Sequence, residues 1–397
     1  MSSSFRMIAQ TLHGLEEVLR AELLKLGARD LERHNRAVSF TGDLGFMYKA
    51  NLSLRTAIRI LVPLETVEAR SPDELYHVLR AFDWESFMDV KDTFMFKVTL
   101  NSTYFTHSQF AARKAKDALV DRFRDKCGAR PSVDLENPTL RIHLHITEDR
   151  CALSLDSSGG SLHQRGYRVE TNAAPLNEVL AAGMVILSGW NKISPLVDPF
   201  CGSGTILAEA AMIAANIPPN IHRRTFAFQG WNDYDPELWN TIRDSAIDKI
   251  TGECPPLLGG DINRVTVAKA KETMRMAKVD DLVTIRHSSF ADLEAPERTG
   301  MLIMNPPYGE RMDERGVMAP SDTEEINELY RSIGDTLKHR WPGWTAWVLT
   351  SNMDAAKRIK LTPKPKIQLF NGALDCRFLR YEIYTGSRRL PVQEQQL

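Results

Sequence analysis

Leu196-Val197-Asp198-Pro199-Phe200-Cys201-Gly202-Ser203-Gly204-Thr205 is the stretch that decides the fold. It reads as a short buried strand ending in an acid, then a glycine-bearing turn. Ile206 to Ile213 continues it as an apolar helix. Strand, glycine turn and helix in that order open the ligand loop of doubly wound α/β folds, where glycine lets the backbone approach a ligand closely. The full GxGxxG is absent and no GK[ST] follows, which argues against a phosphate cradle.

Downstream, the apolar run Met301-Leu302-Ile303-Met304 leads into Asn305-Pro306-Pro307-Tyr308 and then Gly309-Glu310-Arg311. The run predicts a buried strand. The two prolines end it abruptly, because neither can donate to a ladder and each fixes its own φ. Asn305 is thereby held at a strand end. Its carboxamide oxygen, together with a nearby backbone carbonyl, can accept hydrogen bonds from one exocyclic NH2 and turn the nitrogen lone pair toward an electrophile. Tyr308 offers a ring face for stacking a planar base. The same four residues also suit an ordinary strand with a proline turn, and the string alone does not separate the two readings.

Together, DPFCGSGT and NPPYGER resemble the amino-directed class of S-adenosylmethionine-dependent methyltransferases. The segment Ser161 to Arg168 (SLHQRGYR) and then Ala174-Pro175-Leu176 are similar to a signature of the bacterial rRNA guanine-N2 methyltransferases that carry an N-terminal THUMP domain. This resemblance covers nearly the whole chain and is strongest from about residue 160 to 312. It implies S-adenosylmethionine as cofactor, held by Asp198, Phe200, Gly202, Gly204, Thr205, Asp261, Ile262 and Asp292. Asp261, at the end of the strand Pro256 to Asp261, would accept the ribose hydroxyls, an arrangement shared with dinucleotide folds. Asp292 would meet the adenine amino group. The implied catalytic residues are Asn305, the Pro306 carbonyl and Tyr308, acting on the N2 amine of a guanosine in 23S rRNA. A tRNA guanine-N2 methyltransferase fits the motifs equally well. An adenine-N6 DNA methyltransferase and a non-catalytic RNA-binding assembly factor are further alternatives. Longer members of the family fuse a second methyltransferase domain, whose activity this chain is expected to lack.

Length and composition agree with a globular multidomain protein. The 397 residues suit two or three domains, and 43% hydrophobic residues suffice for real cores. No run approaches the roughly 18 apolar residues of a membrane span, and Met1 to Arg6 lacks the apolar core of a signal peptide. A cytoplasmic protein is expected. The five cysteines form no CxxC pair, so neither a disulfide framework nor a metal site is indicated.

The expected fold class is α/β. Residues 1–62 read as a ferredoxin-like α+β module, 63–157 as a THUMP domain and 158–397 as a Rossmann-like class I methyltransferase domain. Its sheet should be mostly parallel and close with an antiparallel hairpin around Asn371 and Gly372. Within the first module, Phe5 to Gln10, Ala37 to Phe40 and Thr56 to Val62 are predicted strands, with helices over Leu12 to Leu26 and about Leu44 to Leu54. In the second, Ser71-Pro72-Asp73-Glu74 predicts a capped helix start, and Ser108 to Lys126 a long helix ended by Gly128. Asp156 to Gly160 (DSSGG) reads as a linker. The aromatic-rich insertion 214–256, with Phe226, Phe228, Trp231, Tyr234 and Trp239, reads as a packed cap that could also roof the pocket. Arg311 to Thr323 is polar and reads as a lid.

A net charge of −1 makes any RNA surface local. Arg113 to Arg130 holds seven basic residues against Asp117, Asp121 and Asp125, and phosphate contact needs such clusters. The RNA-contacting set is therefore Arg113, Lys114, Lys116 and Arg124, joined by Arg165 and Arg168 of the SLHQRGYR segment. Solvated helix face is the competing reading for the long helix, and a structural tie for the segment.

Overall fold

The computed structural model describes residues 4–168, 176–312, 318–320 and 323–384. Ala174, Pro175 and most of the lid segment lie outside that range. The chain divides into two compact units, one of Met1–Leu12, Glu16–Arg165 and Pro218–Asp248, the other of His13–Leu15, Gly166–Ile217 and Lys249–Leu397.

The first unit is built on one eight-stranded sheet. Its strands are β1 (Phe5–Gln10), β2 (Arg29–His34), β3 (Ala37–Gly42), β4 (Arg59–Glu68), β5 (Thr93–Asn101), β6 (Ser132–Val133), β7 (Leu140–Thr147) and β8 (Arg150–Asp156), in the order β2-β3-β1-β4-β8-β7-β5-β6. β4 joins the two N-terminal modules. Its first residues pair with β1 (Ile8 opposite Leu61), and the rest pair with β8 (Leu61 opposite Asp156). The predicted boundary at 62/63 therefore falls inside a continuous strand. The register shifts between Pro63 and Glu65, next to a residue that has no N–H for the ladder.

Local chemistry places the helices of this unit. Ser71 Oγ accepts from the Glu74 N–H at 3.2 Å, the first half of the capping box, while the Glu74 carboxylate reaches one residue further back and accepts from the Arg70 N–H at 2.8 Å at the start of Pro72–Ala81. That helix and Ser108–Cys127 cover β5, β7 and β8 with Leu75, Leu79, Leu119 and Phe123, around a fully buried Trp84 whose Nε1 donates to Leu79 O. Glu16–Leu26 starts four residues later than the leucine spacing predicts.

Two sequence expectations change here. DSSGG is a buried junction and not a linker: Asp156, Ser157 and Ser158 are fully buried. Ser157 Oγ donates to Ile60 O at 2.9 Å, and Ser158 Oγ donates to Asn51 Oδ1 at 2.6 Å. The serines satisfy buried polar groups that the composition alone does not reveal. Likewise, Pro218–Asp248 belongs to the first unit. Phe228 stacks on Tyr48 at 4.4 Å, Trp239 meets the same ring edge-on at 6.1 Å, and the Tyr48 hydroxyl accepts from the Asp235 N–H at 3.0 Å. Arg223 clamps the chain beside it by donating to the carbonyls of Ser158, Gly160, Ser161 and Gln164.

The second unit holds a seven-stranded sheet. Its strands are β9 (Leu196–Asp198), β10 (Leu257–Asp261), β11 (Val283–His287), β12 (Met301–Met304), β15 (Thr345–Thr350), β16 (Lys366–Asn371) and β17 (Leu374–Glu382); β13 (Glu310–Met312) and β14 (Met318–Pro320) form a separate antiparallel pair. The order is β11-β10-β9-β12-β15-β17-β16, parallel from β11 through β15 and antiparallel at β17. This matches the predicted sheet with its closing hairpin. The strand order reverses between β9 and β12, and in such sheets the crevice beyond that point binds ligands. Helices Thr205–Ala214, Arg264–Met276 and Thr323–Arg340 flank the sheet. On one side the core holds Ile333, Leu337, Trp341 and Trp344.

Candidate active site

Asp198 and Asn305 stand at the C-terminal ends of neighbouring parallel strands. Leu196 and Val197 of β9 lie opposite Met301 and Leu302 of β12, so both side chains emerge at the same sheet edge, at the switch point.

Asp198 is 1% exposed. Its Oδ1 accepts from the Phe200 N–H at 3.1 Å. Burial pushes its carboxyl up to about 8, with that N–H opposing and the charge of Asp261 adding. A buried carboxylate with so little compensation calls for a cation. The turn that follows is held by Cys201 N–H to Gly260 O at 3.0 Å and by Gly202 N–H to Asp261 Oδ2 at 3.1 Å. Gly202 (φ +53°) faces open space. Gly204 adopts φ +83°, a left-handed conformation that favours glycine, and a Cβ there would push the Met274 methyl aside. Gly204 caps Thr205–Ala214 without a side chain, leaving the N–H groups of that helix's first turn uncapped.

Asp261 ties this loop to the next strand. Its Oδ1 accepts from the Asn263 N–H at 2.8 Å while Oδ2 takes Gly202, and each oxygen keeps a lone pair for a further donor. Ile262 is 73% exposed beside it. Asp292 is also exposed and accepts from Ser289 Oγ at 2.6 Å, and Phe290 packs edge-on against Phe200 at 5.9 Å. Asp198, Asp261 and Asp292 thus stand on β9, on β10 and just past β11, with Phe200 and the glycines between. Carboxylates of this kind, an exposed aliphatic side chain and a turn where a Cβ is missing suit a ligand with a cationic amine, a ribose and a flat base.

At Asn305 the arrangement differs from the expectation. Tyr308 is 8% exposed, and its hydroxyl donates to Asn305 Oδ1. Its ring is a packed part of the unit and not an open stacking face, and burial pushes the phenol well above its usual range. Pro306 is buried, Pro307 exposed. Sequence reasoning missed Asn352, whose Nδ2 donates to the Tyr308 carbonyl at 3.0 Å while its Oδ1 caps Ala355 N–H at 2.9 Å. The signal that could have found it is position, since Asn352 follows β15, the parallel neighbour of β12, at the same edge.

The basic residues are less available than their count suggests. Lys114 pairs with Asp73 at 2.6 Å, Lys116 with Asp117 at 2.5 Å and Arg124 with Asp121 at 2.9 Å, while Arg113 is exposed. Arg165 is a clear correction. It is fully buried, with Nη1 donating to Leu162 O at 2.8 Å and Nη2 to Arg55 O, so it presents nothing to RNA. Arg168 binds Leu176 O at 2.6 Å and Glu178 at 3.2 Å. Arg165→Ala should lower stability by about 3 kcal/mol, since two buried carbonyls lose their donor, and Arg165→Lys should not restore it. Thermal unfolding of both variants checks this.

Comparison with known proteins agrees with the fold. A crystallised methyltransferase candidate, SMU.472 complexed with SAH, superposes with a TM-score of 0.85 at 28% identity over 98% of this chain and all of that one. Fold and site together define an S-adenosylmethionine-dependent class I methyltransferase carrying an N-terminal THUMP module. Residues 165–380 match the RMKL-like methyltransferase domain, 69–156 the THUMP domain and 6–61 the RlmL ferredoxin-like domain. The chain belongs to the RMKL-like methyltransferase family. An RNA methyltransferase candidate of Synechocystis sp. is 38% identical over 95% of this chain and 96% of its own length. The ribosomal RNA large subunit methyltransferase K/L of Syntrophotalea carbinolica is 38% identical over 96% of this chain, which spans only 54% of that relative. Among the described residues no helix is long and apolar enough to cross a membrane, and no group of His, Cys, Asp or Glu side chains is placed to hold a metal ion.

Proposed function

We propose that this protein transfers a methyl group from S-adenosylmethionine to the N2 amine of a guanosine in structured RNA, with 23S rRNA as the substrate. The observation that carries the chemistry is the juxtaposition of Asp198 and Asn305 on adjacent strand ends. The THUMP match and the relatives named as RNA and large-subunit rRNA methyltransferases support RNA as the acceptor.

The cofactor supplies an electrophilic methyl group on a sulfonium. Asp198 holds its amino group, Asp261 the ribose hydroxyls and Asp292 the adenine amine; Gly202 and Gly204 keep the loop close, with Phe200, Thr205 and Ile262 beside it. Asn305 Oδ1 and the Pro306 carbonyl accept the two N–H groups of the target amine and turn its lone pair outward. An amine attacking a sulfonium needs no prior deprotonation, so no general base is required and the proton leaves after transfer. Tyr308 acts differently from a stacking platform: its hydroxyl takes one lone pair of Asn305 Oδ1 and fixes the carboxamide, leaving the other for the substrate. The target base must leave its stack, at about a few kcal/mol.

The test is transfer of labelled methyl groups to naked 23S rRNA and to bulk tRNA, both from cells lacking this protein, followed by nucleoside mass spectrometry. N2-methylguanosine in the rRNA alone is the expected result. Label in tRNA alone, or N6-methyladenine in a parallel DNA reaction, overturns the substrate while keeping the chemistry.

A further inference from the structure

Four neighbouring strands of the first unit build a second, separate concavity. Arg59 of β4, Lys97 of β5, Arg141 and His143 of β7 and Asp156 of β8 line a cavity of about 460 Å³. Lys97 and His143 are register partners on β5 and β7, which sets their side chains on one face of the sheet. Ser108 and Gln109, the first two residues of the helix Ser108–Cys127, also line it, and that helix start carries no side-chain cap. Its free N–H groups and macrodipole favour an anion at this end.

The charges in the cavity do not cancel. Asp156 is the one acid among the lining residues, and it is taken by Arg59 at 2.7 Å. Lys97 has no ion-pair partner among the described residues, and Arg141 donates only to the Glu136 carbonyl and the Met95 sulfur. His143 is buried and neutral: burial and the positive charges of Arg59, Lys97 and Arg141 hold it down to about 3. Partial desolvation and the neighbouring Arg59 likewise lower Lys97, although the residue is open to solvent. Three cations against one carboxylate leave two positive charges crowded together in the cavity.

We propose that this cavity binds a phosphate monoester, carried either by a free nucleotide or by the 5′ end of an RNA strand. A monoester carries about 1.5 to 2 negative charges at neutral pH, against about 1 for an internal diester, and so matches the surplus. The volume lies within the range of sites that take a small ligand, which leaves room for the attached nucleoside. This site is independent of the methyl-transfer reading.

The test is calorimetric titration of the full chain with inorganic phosphate, adenosine 5′-monophosphate and adenosine, then with a ten-nucleotide RNA bearing either a 5′-phosphate or a 5′-hydroxyl. Adenosine 5′-monophosphate should bind saturably and adenosine at least about tenfold more weakly, consistent with the worth of charge-assisted hydrogen bonds. Lys97→Glu, at a strand position open to solvent and on the face away from the helix-covered core, should weaken the monophosphate by at least about tenfold, whereas Arg141→Lys, which keeps the charge, should weaken it less. A preference for the 5′-phosphorylated RNA assigns the site to RNA ends; equal binding of the two RNAs with monophosphate binding intact assigns it to free nucleotides. No saturable response to phosphate or monophosphate overturns the proposal, as does equal monophosphate affinity in the wild type and Lys97→Glu.

Discussion

Asn305→Ala should slow methyl transfer by about 10²- to 10³-fold while leaving cofactor affinity within about twofold of the wild type. The reason is geometric. Asn305 follows a strand buried on both sides, between two fixed neighbours, and its Oδ1 is already oriented by the Tyr308 hydroxyl. Removing the carboxamide deletes the proposed acceptor for the reacting amine, yet touches none of Asp198, Asp261 or Asp292. Single-turnover transfer and a separate titration with SAH read the two quantities. Equal loss of both would mean that Asn305 supports the fold of the site and not the reacting group. Tyr308→Phe should give a smaller fall in rate, because the carboxamide stays but is no longer held.

Asp198→Asn is the second large effect, and it runs in opposite directions for binding and stability. Losing the charge should weaken S-adenosylmethionine by about 10²-fold, as expected when one partner of a buried charge pair is removed. The cofactor-free protein, however, should become more stable above neutral pH. Burial raises the Asp198 carboxyl from an ordinary value of 3.8 to about 8, so the folded chain holds a proton that the unfolded chain has released. Stability from this group is fully present below about pH 4 and is lost as pH rises through about 8. The variant lacks that slope. Melting temperatures of both proteins from pH 5 to 9, without cofactor, should diverge upward in favour of Asp198→Asn, and parallel curves would remove the buried-carboxylate argument.

Much of this was legible in the sequence because several signals coincided. Leu196–Thr205 and Met301–Tyr308 each end an apolar run at a chemically distinctive residue, and the sheet puts both ends at one edge. The capped helix at Ser71 and the helix stop at Gly128, which does adopt positive φ, were local and needed no tertiary context. What stayed hidden depends on partners far away in the chain. β2 is a charged edge strand with nearly every residue exposed, so no alternation marks it. Arg165 looks like a surface cation until Arg55, 110 residues earlier, supplies its acceptor. The basic helix looks open until Asp73 arrives from the facing helix to take Lys114. Tyr308 looks like a platform because sequence cannot say which way a ring turns.

The aromatic excursion Pro218–Asp248 has a topological outcome. Besides the brief excursion at His13–Leu15, the chain leaves the first unit after Arg165, returns to it at Pro218 and leaves again after Asp248. No single cut can therefore release either unit whole. Truncation at 158 would strand Phe226, Phe228 and Trp239 without Tyr48, exposing a greasy surface prone to aggregate, and would rob the N-terminal fragment of rings from its own core. Conversely, one proteolytic nick anywhere between 166 and 217 would leave the two halves of the polypeptide associated through the aromatic cluster. The methyl-transferring and THUMP-bearing parts of this protein therefore cannot be parted by one cut of the chain.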